Sequence, residues 1–302
     1  MTTLKLGTRG SPLALVQAGL VRDALRAAHE IAVEVVVVVT TGDRVQDRPL
    51  AEIGGKALWT KELDAALLSG RIDLAVHSMK DVETRLADGV VIAAMLPRAD
   101  VRDRLIGAES VAGLGLGARL GTSSPRRAAQ LRGLHPDLVI VPLRGNVATR
   151  LAKIAAGEAD ATLLAAAGLD RLGIATGVTI DLDTLLPAPA QGAVGVTCRS
   201  GDTVTTRLLD AIDHPPTSAA VRLERGFLAR LDADCHSSVA ALAEVDGASV
   251  RFCAEILLPD GSERRFGEVS ADLRDGLAAV EALADRLLAE ASPALRGHFG
   301  RS

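Results

Sequence analysis

Short β-branched runs alternate along this chain with longer segments that carry one apolar face, the rhythm of an α/β protein. Residues 4–8 (LKLGT) predict a strand, and Ser11-Pro12 supplies an N-cap and a first-turn proline for the helix that follows. That helix is expected to reach about His29 with Leu13, Val16 and Leu20 on one face. The run IAVEVVVVVT (31–40) does not alternate, which predicts a buried strand in a parallel sheet. TGDRVQDRPLAEIGG (41–55) is polar and predicts a long loop. A helix at about Ala57–Ser69 and a strand around Asp73–His77 follow, with SMKD at the strand's C-terminal end.

The second segment repeats this plan. Arg119–Thr122 leads into Ser124-Pro125 and a helix, then a strand at 138–143, a helix at about 147–156 and a strand-like ATLLAAA. SPLALVQ (11–17) matches SPRRAAQ (124–130) in its Ser-Pro and Gln, and GRID (70–73) matches GEAD (157–160) in its Gly and Asp. Two α/β units of one design would face each other across a cleft lined by loops from both. MLPRADVRDRL (95–105) reads as a polar link between them, and LPAPAQGAVGV (186–196) as a return crossover able to act as a hinge. From about His214 the texture changes to a helix (218–231), a hairpin (249–258 and 263–270, turning at Pro-Asp-Gly-Ser) and a last amphipathic helix. That helix carries Leu273, Leu277, Val280, Ala284 and Leu287, so a small α+β domain ends the chain.

The composition, 48% hydrophobic and 24% charged over 302 residues, is that of a soluble globular protein with two or three cores. No apolar run approaches the roughly 20 residues that span a membrane, and the start carries no secretory pattern. With three cysteines (Cys198, Cys235, Cys253) there is no paired framework, so a reducing cytoplasm is expected. Four Phe, one Trp and no Tyr give little to stack on single-stranded nucleic acid, and a net charge of −4 argues against a duplex-binding groove. Scattered cysteines and histidines show no metal-ligand spacing.

Against that acidic total, residues 119–150 hold six arginines and one acid, Asp137. Arg126 and Arg127 follow Ser-Ser-Pro at a helix start, where free N–H groups and the hydroxyls of Thr122, Ser123 and Ser124 also suit an anion. Two consecutive arginines leave a helix in different directions, so one can serve a ligand and the other a neighbouring loop or a second ligand group. Arg144, Gly145 and Asn146 lie at the next turn, with Arg150 in the helix after it. Arginine is disfavoured by the dipole at a helix N-terminus, which points to an external anion. Arg9 is the equivalent in the first segment, whereas Arg119 and Arg132 read as surface charges. Lys80 and Asp81 follow a strand end; an acid among arginines is a natural proton handler or cation stabiliser. His77 reads as a structural hydrogen-bonder. Cys198 and Cys253 have core-like neighbours, while Cys235, in DADCHSS, can be a nucleophile or an attachment point. From the residues alone, an anion-binding protein with a closing cleft stays open beside an enzyme.

Seven ordered stretches resemble the porphobilinogen deaminase (hydroxymethylbilane synthase) family over nearly the whole chain. They are LGTRGSPLALVQA (6–18), GGKALWTKELDAALL (54–68), DLAVHSMKDV (73–82), GTSSPRRAAQL (121–131), LRGNVATRL (143–151), PAPAQGAVGV (187–196) and LDADC (231–235). The resemblance implies an α/β fold: two lobes like periplasmic binding proteins around a cleft (1–96 with 193–211, and 101–187) and a C-terminal α+β domain (214–302). It implies a cytoplasmic, monomeric transferase of porphyrin and heme biosynthesis, without metal, that joins four porphobilinogen molecules head to tail with loss of ammonia. The chain grows on a dipyrromethane cofactor held by a thioether, water releases hydroxymethylbilane, and uroporphyrinogen-III synthase takes the product. Carried over, Cys235 is the attachment residue and Asp81 the catalytic carboxylate. Arg9, Arg126, Arg127, Arg144 and Arg150 bind pyrrole carboxylates, with Ser11, Lys80, Thr122, Ser123, Ser124, Gly145 and Asn146 in support, and Lys56 on a segment over the cleft. The family commonly has Gly-Gly-Cys and a Pro-Ile-Gly-like run where this chain reads Ala233-Asp234-Cys235-His236-Ser237-Ser238-Val239-Ala240. Asp234 in place of glycine is expected to stiffen the loop and to set a negative charge beside a polycarboxylate cofactor. Trp59 stands where phenylalanine is common.

Overall fold

The structure, a computed structural model, describes residues 3–40 and 60–300. The loop expected at 41–55, Lys56, Trp59 and the start of the helix expected from Ala57 lie outside the described residues. The chain divides into two compact units, one running to Ala99 and resuming at Gly192–Ser218, the other made of Asp100–Gln191 and Ala219 onward. Three sheets fill them: two similar five-stranded α/β sheets and a three-stranded C-terminal sheet.

In the first unit the strands are β1 (Thr3–Thr8), β2 (Ala32–Val37), β3 (Leu74–Ser78), β4 (Val90–Met95) and β10 (Val194–Arg199), in the order β2-β1-β3-β10-β4. The β2-β1-β3 strands run parallel, and β10 is antiparallel to both its neighbours. Helix α1 (Pro12–Ala28) covers one face through Ala18, Val21 and Leu25, packed with Leu6, Val33, Leu74 and Val196. Helix α2 (Lys61–Leu68) puts Leu63 and Leu67 on a second cluster with Ile72 and Ala75.

Two expectations change here. The buried stripe of α1 is Ala18-Val21-Leu25 and not Leu13-Val16-Leu20, and Leu20 is exposed. The helix carries apolar residues on more than one face, so the sequence alone does not say which stripe meets the sheet. Strand β2 is the sheet edge and not a buried interior strand: it ends at Val37, which is 51% exposed while Val33 is buried. With one neighbouring strand, valines that would fill an interior strand meet solvent.

In the second unit the α/β strands are β5 (Asp103–Ile106), β6 (Arg119–Gly121), β7 (Val139–Val141), β8 (Ala161–Ala165) and β9 (Val178–Thr179), ordered β7-β6-β8-β5-β9. Again the first three are parallel and the fourth runs against them. Helix α3 (Pro125–Leu134) follows β6, α4 (Val147–Ala155) follows β7, and the short α5 (Ala166–Arg171) follows β8. The faint sequence echo is a real structural repeat. Gly70 and Gly157 turn the chain with φ of 72° and 73°. Asp73 then accepts from Lys5 N–H at 2.8 Å and Asp160 from Arg119 N–H at 2.7 Å, while each Asp N–H returns a bond to the same partner's carbonyl. Arg119 thus sits in a main-chain clasp and also pairs with Asp160.

The fourth strand of each sheet is the element whose place in the chain differs. In the first sheet it is β10, which arrives last; in the second it is β5, which comes first. Residues 95–105 are therefore not a plain link, because they contain the end of β4 and the start of β5. The stretch 186–196 likewise belongs to two units, dividing at Gln191–Gly192. On the second-unit side it is tied down, with Leu186 O accepting from Arg126 and Gln130, and Gln191 Nε2 donating to Val101 O at 2.8 Å.

Helix α6 (Thr203–Asp210) closes the first unit's return, and α7 (Pro215–Arg230) leads into the C-terminal α+β domain. Strands β11 (Val239–Asp246), β12 (Ser249–Leu257) and β13 (Arg264–Asp272) form an antiparallel meander. Helix α8 (Gly276–Glu290) packs Val280, Leu283, Ala284 and Leu287 with Phe227 and Phe252, and α9 (Pro293–Arg296) follows. Leu273 precedes α8 and Leu277 is 42% exposed, so the buried stripe takes in Leu283 instead.

Candidate active site

In the first unit the candidate residues gather at the carboxyl ends of two adjacent parallel strands, the end at which open α/β sheets bind ligands. β1 delivers Arg9 and then Ser11, whose hydroxyl caps α1 by accepting from Ala14 N–H at 3.3 Å. β3 delivers a single 3₁₀ turn, Met79–Asp81, closed by Val82 N–H to Met79 O at 3.2 Å. Lys80 and Asp81 are half-buried on that turn, whereas Met79 is fully buried beneath it. The floor under Met79 is Gly195 of β10: a Cβ there would stand 2.1 Å from Met79 Sδ, so only glycine leaves the space. Buried Gln17 of α1 fixes the entry to the turn, donating to Ser78 Oγ at 2.8 Å. His77 is buried and bonds Thr197 Oγ1 through Nε2 at 2.9 Å, the structural part expected for it.

In the second unit the carboxyl ends of β6, the counterpart of β1, and of β7, the counterpart of β2, bring two loops together. Ser124 caps α3, accepting from Arg127 N–H at 3.4 Å, and Thr122 Oγ1 accepts from Ser124 N–H at 3.1 Å. Ser123 reaches the neighbouring loop, donating to Leu143 O at 3.2 Å. There Gly145 turns the chain with φ 113°, Asn146 caps α4 by accepting from Thr149 N–H at 3.0 Å, and Arg150 Nε donates back to Gly145 O at 2.9 Å. Arg144, Gly145, Asn146 and Arg150 therefore form one compact corner.

Arg126 and Arg127 do not diverge. Both are buried, and both guanidinium groups close on one carboxylate, Asp103 of β5: Arg126 at 2.8 Å and Arg127 at 2.7 Å. Long side chains from one helix turn can converge on the strand beneath it, which spacing alone does not reveal. Gln191 Nε2 adds a 2.9 Å bond to Asp103, and Arg127 also donates to Leu163 O at 2.9 Å. Burial pushes the Asp103 carboxyl up, but the charges of Arg127 and Arg126 outweigh it and hold the group well below the usual carboxylate range. Burial pulls the Arg126 guanidinium down, opposed by Asp103; an arginine stays charged regardless. One anion and two cations leave this cluster one positive charge in excess.

Cys235 is exposed on a turn after α7, while Cys198 and Cys253 are buried, and burial pushes both of their thiols up. Asp234 builds the turn: its Oδ1 accepts from His236 N–H at 2.8 Å, and its own N–H donates to Ser237 Oγ at 3.1 Å. The carboxylate that replaces the family's glycine is thus occupied with the turn itself. Asp103, Gln17, Gly195 and Gln191 were not among the residues singled out from the sequence. Gln17 lay inside LGTRGSPLALVQA, and Gln191 and Gly195 inside PAPAQGAVGV, each without a role of its own, whereas Asp103 was hidden in what reads as a polar link.

Two family models cover the chain. The one described as "Porphobilinogen deaminase, dipyromethane cofactor binding domain" matches residues 4–207, and "Porphobilinogen deaminase, C-terminal domain" matches residues 218–289. The chain belongs to the porphobilinogen deaminase family. It is 56% identical to the porphobilinogen deaminase of Sphingopyxis alaskensis over 98% of this chain and 96% of that one. It is 50% identical to the porphobilinogen deaminase of Paracoccus denitrificans, over 94% and 93%. Among solved structures, an ancestral cationic amino acid solute-binding protein aligns with 70% of this chain and 88% of its own, at 15% identity and a TM-score of 0.45.

As a member of the family the protein is a transferase of tetrapyrrole biosynthesis: it condenses porphobilinogen stepwise on a dipyrromethane cofactor to form hydroxymethylbilane. The residues present fit that cofactor. Arg126 Nε is a buried donor with no hydrogen-bond partner among the described residues, an orphan that a carboxylate of the cofactor would satisfy. No helix among the described residues is long and apolar enough to cross a membrane.

Proposed function

We propose that the chemistry is divided between the two units as follows. Asp81 is the catalytic carboxylate, assisting ammonia loss from porphobilinogen, stabilising the azafulvene-like cation and handling the α-proton of the pyrrole under attack. Arg9, at the end of β1, binds a substrate carboxylate, with Ser11 in support as the cap of the helix that follows it, and Lys80, beside Asp81 at the end of β3, adds a supporting contact. Cys235 holds the dipyrromethane through a thioether; when bound, that group supplies the nucleophilic pyrrole carbon on which the chain grows. Arg126, Arg127, Arg144 and Arg150 bind acetate and propionate groups, and Thr122, Ser123, Ser124, Gly145 and Asn146 shape the loops that present them. Lys56, expected to act on the growing chain, lies outside the described residues.

The observation that carries this reading is the shared position of the candidates. In both α/β domains they follow the middle strand of the parallel trio, β1 or β6, and one further strand, β3 in the first sheet and β7 in the second, where helix N-termini and turn N–H groups suit an anion. A pyrrole bearing acetate and propionate needs cations spread over several ångströms, which two arginine-bearing corners supply and a phosphate site would not. The strand order, with its antiparallel fourth strand in both sheets, supports lobes of the periplasmic-binding-protein kind, with boundaries at 1–96 with 193–211, 101–187 and 214–302. A cytoplasmic monomer that hands its product to uroporphyrinogen-III synthase completes the proposal; three cysteines outside any disulfide suit a reducing compartment.

Arg144 and Arg150 provide the test. Arg144→Gln and Arg150→Gln are each expected to raise KM for porphobilinogen by about tenfold, the loss of one charge-assisted hydrogen bond of roughly 1.5 kcal/mol. Mass spectra of the working enzyme are expected to show partly extended chains accumulating. An unchanged KM and an unchanged distribution of chain lengths in both variants would remove these arginines from the site.

A further inference from the structure

The C-terminal domain grips the arginine helix through a buried polar chain that the reaction, as set out above, does not use. Gln130, the glutamine of the internal repeat, is buried one turn after Arg126 on α3. Its Oε1 accepts from Arg126 NH1 at 2.8 Å. Its Nε2 donates to Leu186 O at 2.9 Å and to Glu255 Oε1. Glu255 lies on β12 of the C-terminal meander, is 1% exposed, and receives Arg264 on its other oxygen. The amide is therefore polarised along one direction, with its oxygen toward the guanidinium and its nitrogen toward the carboxylate. Removing the acceptor at 255 would leave a buried N–H with one partner fewer, so that the nitrogen end of the amide that receives Arg126 is held by Leu186 O alone.

A second contact acts beside the first. The β12–β13 turn seats on the end of α3, where Arg132 NH1 donates to Pro259 O at 3.3 Å and Gly261 has room for no side chain, its Cβ position being 2.5 Å from Gly133 N. The hairpin holds the helix body, and Glu255 reaches one of its arginines.

We infer that Glu255 is a positioning residue for Arg126, acting through the Gln130 amide, so that the C-terminal domain sets the aim of a carboxylate-binding arginine as well as carrying Cys235. With NH1 engaged by Gln130 and Leu186 and NH2 bonded to Asp103, Nε is the guanidinium nitrogen without a partner among the described residues and so open to a ligand. A small rotation of the guanidinium would misdirect it. The inference rests on the proposed carboxylate-binding role of Arg126.

The test is a double-mutant cycle on the full-length holoenzyme, reading KM and kcat for porphobilinogen together with the fraction of chains that load cofactor when the apo-protein is given porphobilinogen. Glu255→Leu is expected to raise KM about fivefold and slow loading, with kcat within about twofold of wild type, the pattern of weakened binding without lost chemistry. Glu255→Gln, which keeps an acceptor oxygen, is expected to restore both. In an Arg126→Gln background, Glu255→Leu is expected to change KM no further. If Arg126→Gln alone leaves KM and loading unchanged, the carboxylate role of Arg126 fails. If Arg126→Gln raises KM but Glu255→Leu does not, or the two effects multiply, the positioning role is overturned. Should Glu255→Leu not fold, Gln130→Met carries the same expectations and the same refutation.

Discussion

Asp81→Asn is expected to lower kcat by roughly two to three orders of magnitude, the scale of removing one preorganised electrostatic group from a developing charge. Expulsion of ammonia from porphobilinogen leaves a cation delocalised over the pyrrole, and a carboxylate lowers that barrier in a way a neutral amide of the same shape cannot. Asp81 is suited to this because its backbone is fixed: the 3₁₀ turn is closed at Val82, entered through the Gln17–Ser78 bond and floored by Met79 on Gly195. The change should fall on kcat more than on KM, since the stabilised charge is greatest after binding. Rapid-quench measurement of ammonia release checks it, and a variant within tenfold of wild type would exclude Asp81 from the chemical step.

The second large effect is on stability. Asp103→Asn is expected to cost about 3–5 kcal/mol, because it leaves Arg126 and Arg127 buried without their shared counter-charge. At 2–4 °C per kcal/mol this is a fall of about 6–20 °C in the melting transition. Asp285→Asn is the control: its pair with Arg230 is half exposed, and its loss is expected to cost under about 1 kcal/mol. The sign of the pH dependence follows from the depressed carboxyl of Asp103. Its contribution is complete above the unfolded value near 4 and fades as pH falls below that toward the folded value. The gap between wild type and Asp103→Asn should therefore be flat at neutral pH and narrow in acid. Denaturant titrations at several pH values measure it, and a constant gap down to about pH 2 would contradict the assignment of charge.

Much of this site was legible in the sequence because local signals and motifs coincide there. Ser11-Pro12 and Ser124-Pro125 do start helices, and Gly145 takes the positive φ its turn needs. The Gly-and-Asp echo marked a repeat whose clasp, Asp73 on Lys5 and Asp160 on Arg119, appears only in three dimensions. What could not be read were partnerships across the sheet. Asp103 lies in a short strand that looks like a linker, because a four-residue segment with two charges carries no usable period. Its meeting with Arg126 and Arg127 depends on β5 pairing with β8, a contact far apart in the chain. The edge position of β2 was hidden for a similar reason, since a valine run states only that a strand is apolar. Asp234 adds a local detail: its Oδ1 accepts from His236 N–H, so the carboxylate builds the turn while keeping its charge.

The central claim is that this chain builds tetrapyrrole on a cofactor tethered at Cys235, and intact-protein mass spectrometry tests it most directly. Protein purified from cells making porphobilinogen is expected to carry an adduct of about 420 Da, two pyrrole units, on the peptide containing Cys235. Cys235→Ser is expected to have none. A wild-type chain at its unmodified mass, or an adduct on Cys198 or Cys253, would contradict the account.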